Sequence, residues 1–284
     1  MFDSFVTSYE AFVEAGFENP LLEALRLLDI VSNGSVREAN RQCEGLAGVD
    51  LTALVAQRGE GIPLEYVLGR ATFNGLGLYC TPAALIPRAE TELLVHTILE
   101  VIREKQSRSN TLKIVDMGTG SGNIAVALAA HTDNTFVVAS DVSDEAVALA
   151  RRNAAMHGLE ERIRFFCGDL FEPLRDLGYE GNIDIVVCNP PYIPSSSLAK
   201  MEAEIVDHEP VVALDAGAYG IDIFRRLSRD ALVFLRPGGV LAFEIGMGQE
   251  KIAARLLANA GGYEDILTVA DISGNVRVMV AIRS

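Results

Sequence analysis

Asn189, Pro190, Pro191 and Tyr192 follow directly on the apolar run Ile183–Cys188, and together they could do chemistry on a planar NH2 group. Such a nitrogen, in a carboxamide or on an adenine ring, is a weak nucleophile because its lone pair is delocalised. The Asn189 side-chain oxygen and the Pro190 carbonyl could each accept one of its N–H bonds and draw it towards tetrahedral geometry. Pro190 and Pro191 fix φ and carry no N–H, so the turn offers carbonyls. Tyr192 supplies a flat face for a planar acceptor. An ordinary Pro-rich turn after a strand has the same outline, so the tetrapeptide needs support from a second motif.

That support lies upstream, in Asp116, Gly118, Thr119, Gly120, Ser121 and Gly122. A strand-like Leu112–Val115 precedes them and a helix-like Ile124–Ala130 follows, which is how a nucleotide-binding βαβ unit begins. A dinucleotide fingerprint needs Gly at position 123, where Asn stands. A pyrophosphate also favours a helix N-terminus without a neighbouring carboxylate. The ammonium and sulfonium of S-adenosyl-L-methionine suit Asp116, and the two motifs together favour that cofactor over NAD. Asp141, about 20 residues past the glycine turn, suits bidentate bonding to ribose hydroxyls. Asp169 and Leu170, at the next strand end, suit an adenine amino group and ring. Either acid alone is more often a helix cap, but in series at three successive strand ends the ligand reading wins.

The elements that must position these residues can be read from periodicity. Residues 1–70 are expected to be helical: Asn19 and Pro20 open one helix, Ser35 could cap a second and Asp50 a third. Gly59, Gly61 and Pro63 then break the pattern. Residues 71–87, with Gly75 and Gly77, read as a β-hairpin linker. From 88 to 284, strands alternate with helices, beginning with a helix from Leu93. The fold class expected is α/β, a doubly wound, mostly parallel Rossmann-like sheet. It should close with an antiparallel hairpin built from a strand near Ile266–Ala270 and another at Val276–Ile282. Residues 193–220 read as a long acidic loop at the ligand-bearing edge, a candidate flap anchored by Glu209-Pro210.

The chain resembles the peptide chain release factor glutamine N5-methyltransferases, class I S-adenosylmethionine-dependent enzymes, over nearly its full length. The resemblance rests on Tyr66-Val67-Leu68-Gly69, on Leu85–Leu94 (Leu-Ile-Pro-Arg-Ala-Glu-Thr-Glu-Leu-Leu), on the glycine turn and on Asn189–Ile193. It continues through Glu209–Leu214, Gly217, Gly220, Phe243-Glu244-Ile245-Gly246 and Gln249. The family's usual Pro after Arg88 is Ala89 here, which changes no chemical group. The resemblance implies a methyltransferase fold at 88–284 and a substrate-recognition domain at 1–70. It implies methylation of the glutamine N5 in a release factor Gly-Gly-Gln tripeptide, with Asn189, Pro190 and Tyr192 catalytic. Pro191 joins them in holding substrate, and Asn189 also touches cofactor. A ribosomal-protein glutamine, or an adenine N6 in nucleic acid, is the alternative acceptor.

The net charge of −15 opposes a phosphate backbone as partner and suits a basic protein. Cysteines at 43, 80, 167 and 188 show no Cys-x-x-Cys spacing, so no metal site is expected. Cys188 beside Asn189 reads as a small buried strand residue. Without an export signal or long apolar span, the expectation is a cytoplasmic protein, free of membrane and monomeric.

Overall fold

The computed structural model describes residues 2–31, 50–105 and 111–284. Four helices come first: α1 (Phe2–Glu14), α2 (Pro20–Val31), α3 (Leu51–Gly59) and α4 (Leu64–Leu68). Pro20 stands at the first position of α2, and Asp50 caps α3 by accepting from the Thr52 and Ala53 amides. The segment expected to be capped by Ser35 lies outside the described residues. Phe12, Ala24, Leu27, Leu54 and Leu64 bury one apolar cluster between these short helices. Inside it Arg58 grips Glu23 at 2.7 and 3.1 Å and also bonds the Ile62 carbonyl. That bidentate pairing is what allows two charges to be buried together.

Strands β1 (Arg70–Phe73) and β2 (Leu76–Tyr79) pair antiparallel. Asn74-Gly75 turns between them with φ of 49° and 75°, the positive values that a two-residue hairpin requires. Helix α5 (Ala89–Lys105) follows, four residues earlier than its apolar stripe suggests. Its first turn instead buries Thr91 and carries Glu90 and Glu92, acids suited to a helix N-terminus.

The larger sheet holds β3 (Leu112–Met117), β4 (Thr135–Asp141), β5 (Ile163–Cys167), β6 (Ile183–Cys188), β7 (Leu235–Glu244), β8 (Tyr263–Ala270) and β9 (Val276–Arg283). Their order is β5-β4-β3-β6-β7-β9-β8. β3 to β7 run parallel, and β9 pairs antiparallel with both β7 and β8, the closing hairpin read from the sequence. Helices α6 (Asn123–Ala130) and α7 (Asp144–Met156) join α5 on one face, where Leu94, Ile98, Val126 and Val147 pack on Ile114, Val137 and Ile185. After the short α8 (Ser195–Leu198) and α9 (Ala203–His208), helices α10 (Asp222–Phe234) and α11 (Glu250–Ala260) cover the other. There Phe224, Phe234 and Leu257 meet Val115, Val186 and Leu241. The chain winds outward from β3 to β5 and returns beside β3 as β6. The topological switch point, where α/β crevices open, therefore lies between β3 and β6.

Residues 193–220 are more ordered than the loop expected. They form α8, α9, a 3-10 turn at Val211–Ala213 and a bridge from Ile193 to Asp215. Neither α8 nor α9 buries a residue, so no apolar stripe marks them in the sequence. Strand β7 begins at Leu235, which pairs with Ile183 ahead of a register shift. Among the described residues no helix is long and apolar enough to cross a membrane.

Candidate active site

The glycine turn joins β3 to α6 at the switch point. Gly122 caps α6 at φ +79°, and a Cβ there would stand 3.0 Å from the Ala150 Cβ. Both the backbone angle and the close helix restrict the position to glycine. Asp116 is fully buried behind the turn; its Oδ2 accepts from the Thr119 hydroxyl at 2.6 Å and the Ala125 amide at 3.1 Å. Its Oδ1, like the Ser121 hydroxyl, is buried without a partner. Burial pushes the Asp116 carboxyl up to about 7, against the opposing pull of those two hydrogen bonds.

A cavity of about 380 Å3 opens over the turn. It gathers Gly118, Thr119, Gly120, Ser121, Asp141, Asp169, Leu170, Asn189, Pro190 and Pro191 from four strand ends. Of the residues expected at the site, Asp116 and Gly122 lie behind this lining, and Tyr192 faces a neighbouring cavity of about 220 Å3. Asn189, Pro190 and Pro191 line both, and so form a shared wall.

Asp141 ends β4. Its Oδ2 accepts from the Gly120 amide at 2.8 Å and its Oδ1 from the Ser143 amide at 3.0 Å. The cap of α7 is Ser143, so Asp141 is left to brace the glycine turn and face the cavity. Asp169 pairs with Arg226 at 2.7 Å, both side chains nearly half exposed. Leu170 adopts φ +48°, a strained angle for a side chain of its size, and its carbonyl accepts from the Ser140 hydroxyl.

At the end of β6 the Asn189 amide nitrogen donates to Thr91 Oγ1 at 2.9 Å. Among the described residues no donor is bonded to Asn189 Oδ1 or to the Pro190 carbonyl. Thr91 in turn donates to Glu244 Oε2 at 2.7 Å, and the Tyr192 hydroxyl donates to Glu244 Oε1 at 3.2 Å. Burial raises the Glu244 carboxyl, with Thr91, Arg277 and Tyr192 opposing, while burial and the Glu244 charge push the Tyr192 phenol up to about 12. Gln249 staples the turn: its Nε2 donates to the Tyr192 carbonyl at 3.0 Å and its Oε1 accepts from the Gly246 amide at 2.8 Å. Cys188 is buried, and desolvation holds its thiol well above the ordinary value, so it offers no nucleophile.

Thr91, Glu244 and Gln249 were absent from the residues expected at the site. The available signal was Glu244 itself, an acid within the apolar Leu241-Ala242-Phe243-Glu244-Ile245 run, where a carboxylate needs partners.

A family model described as the methyltransferase small domain matches residues 89–211. A release factor glutamine methyltransferase of Geobacter sulfurreducens is 40% identical over 226 residues, covering 80% of this chain and 75% of that protein. One from Moorella thermoacetica is 36% identical over 272 residues, covering 94% and 93%. The crystal structure of the hMettl16 catalytic domain aligns with a TM-score of 0.59 at 18% identity, over 80% of this chain and 81% of that one. At that identity it speaks for the fold alone. Aligned at these identities over three quarters or more of such relatives, the chain belongs to the release factor glutamine methyltransferase family.

Proposed function

We propose that this protein transfers a methyl group from S-adenosyl-L-methionine to the side-chain amide nitrogen of the glutamine in a release factor Gly-Gly-Gln tripeptide. The observation that carries the reading is the acceptor pair of Asn189 Oδ1 and the Pro190 carbonyl, without a donor among the described residues, in the wall shared by two cavities.

The larger cavity fits the methyl donor by its chemistry. A buried, unpartnered Asp116 Oδ1 and Ser121 hydroxyl stand at the glycine turn, and Asp141 and Asp169 present carboxylates at two further strand ends. Such a set suits an ammonium, ribose hydroxyls and an adenine amino group; a pyrophosphate would meet acids instead of cations. When bound, the donor supplies a methyl carbon on positively charged sulfur. Gly118 to Ser121, Asp141, Asp169 and Leu170 would hold it.

The protein's own part is positioning. Asn189 Oδ1 and the Pro190 carbonyl each accept one N–H of the acceptor amide, which turns its lone pair out of conjugation. Tyr192 and the neighbouring 220 Å3 cavity offer room for the acceptor side chain. Oriented dipoles and fixed geometry supply most of the rate. No side chain is needed as a strong base, because the nitrogen loses its proton to solvent after methylation. An adenine presents the same planar group, but the net charge of −15 opposes its phosphate backbone.

The test is incubation with isotopically labelled donor and a purified release factor, followed by peptide mapping. Label on the Gly-Gly-Gln glutamine is expected; label elsewhere, or none, would refute the proposal.

A further inference from the structure

Register places Cys188 beside Phe243, so the next residues, Asn189 and Glu244, emerge side by side at the ends of β6 and β7. Thr91, in the first turn of α5, stands between their side chains, 2.9 Å from Asn189 Nδ2 and 2.7 Å from Glu244 Oε2. Thr91 is fully buried and Glu244 is 1% exposed. An apolar residue in place of Glu244 would avoid the cost of burying a carboxylate, so the acid needs a reason to be there.

Proton counting gives one. An ionised carboxylate only accepts, and a hydroxyl has a single proton to give. The Tyr192 hydroxyl and the Arg277 guanidinium, 3.2 and 3.6 Å away, both approach Glu244 Oε1. Oε2 therefore takes the Thr91 proton, in a charge-assisted bond. Thr91 is left with lone pairs facing Asn189, and only the NH2 end of the amide can answer them. The oxygen must point the other way.

We propose that Glu244, acting through Thr91, is a positioning residue that decides which end of the Asn189 amide meets the acceptor. This inference deepens the function proposed above and rests on it. With the amide reversed, Asn189 would offer N–H bonds to an NH2 group that has only N–H to give, and the acceptor would be turned away.

Glu244→Gln tests the point at constant volume. Tyr192 and Arg277 hold the new carbonyl on their side, so its NH2 faces Thr91. The Thr91 proton then swings towards Asn189 and favours the reversed amide. Thr91→Val removes the acceptor altogether, and Thr91→Ser restores it.

Expected in methylation assays is a fall in kcat of about 10- to 100-fold for Glu244→Gln and Thr91→Val. The Kd for S-adenosylhomocysteine should stay within about twofold, because the change acts on orientation and leaves the donor cavity intact. Thr91→Ser should recover most of the loss. In 15N spectra, the side-chain NH2 pair that vanishes in Asn189→Asp identifies Asn189. Its protons should exchange with water at least about tenfold faster in Glu244→Gln than in the parent, since they leave a buried partner. Parent-like kcat in folded Glu244→Gln, or unchanged exchange, overturns the inference. Should Thr91→Val fail to fold, Glu244→Gln carries the test alone. The exchange measurement needs no acceptor, so its failure is distinct from failure to methylate a release factor.

Discussion

Glu209 and Arg88, 121 residues apart in the chain, meet at 2.5 Å, the glutamate side chain 1% exposed and the arginine 34%. The second Glu209 oxygen accepts from the Ile86 amide at 3.1 Å. One buried carboxylate thus ties the 193–220 segment to the residues before α5, and both line the larger cavity. Removing it in Glu209→Ala leaves the Ile86 amide unpartnered and frees Arg88. We expect a loss of about 1–3 kcal/mol, less than for a fully buried ion pair because Arg88 is partly solvated. Urea titration should show a lower midpoint, and calorimetry a weaker Kd for S-adenosylhomocysteine. Parent-like values in both would contradict this role.

Gln249 is expected to tolerate no change of polarity. In Gln249→Glu one carboxylate oxygen can still accept from Gly246. The other would face the carbonyls of Tyr192 and Gly220, where Nε2 now donates at 3.0 and 3.4 Å. Opposed acceptors push the Tyr192 turn away from its position. Steady-state kinetics should show kcat reduced by about tenfold or more, by the same sensitivity to small displacements that governs positioning groups. Gln249→Glu at full activity would show that the staple is dispensable.

Asp116 makes a prediction for pH. Its folded carboxyl lies near 7, above the ordinary 3.8, chiefly through burial. A raised carboxyl stabilises the fold fully below its unfolded value and loses that contribution as pH rises through about 7. Asp116→Asn keeps an oxygen for Thr119 and Ala125 but carries no charge. The ligand-free parent should therefore lose Tm relative to this variant between pH 5 and 8, by about 2–4 °C per kcal/mol relieved. Parallel Tm curves would contradict the assignment. The variant should also bind S-adenosylhomocysteine more weakly.

Much of this was legible in the sequence because period and turn chemistry are local. The strand–glycine–helix pattern at 112–130 fell where it was read. Asn189 and Asp141 stand at the ends of β6 and β4, one on each side of β3, because parallel topology brings such ends to one edge. What stayed hidden depends on side chains meeting across the sheet. Tyr192 looks like an open flat face in the sequence, yet its hydroxyl is committed to Glu244 and its ring closes on Gly246. Asp116 reads in the sequence as a ligand alone, yet its Oδ2 also supports the turn from behind while its Oδ1 stays unpartnered. The pairing of Thr91 with Glu244, 153 residues apart, has no local signal at all.

The central claim is that Asn189 Oδ1 and the Pro190 carbonyl aim a planar nitrogen, and Asn189→Ala tests it most directly. Paired measurements of kcat on a purified release factor and Kd for S-adenosylhomocysteine separate aiming from donor binding. The account predicts that kcat falls by at least about 100-fold, as when one preorganised polar group is removed from an active site. The Kd should change less than about threefold, the signature of an interaction made with the reacting group. Turnover retained in Asn189→Ala, or a loss confined to donor affinity, would contradict it.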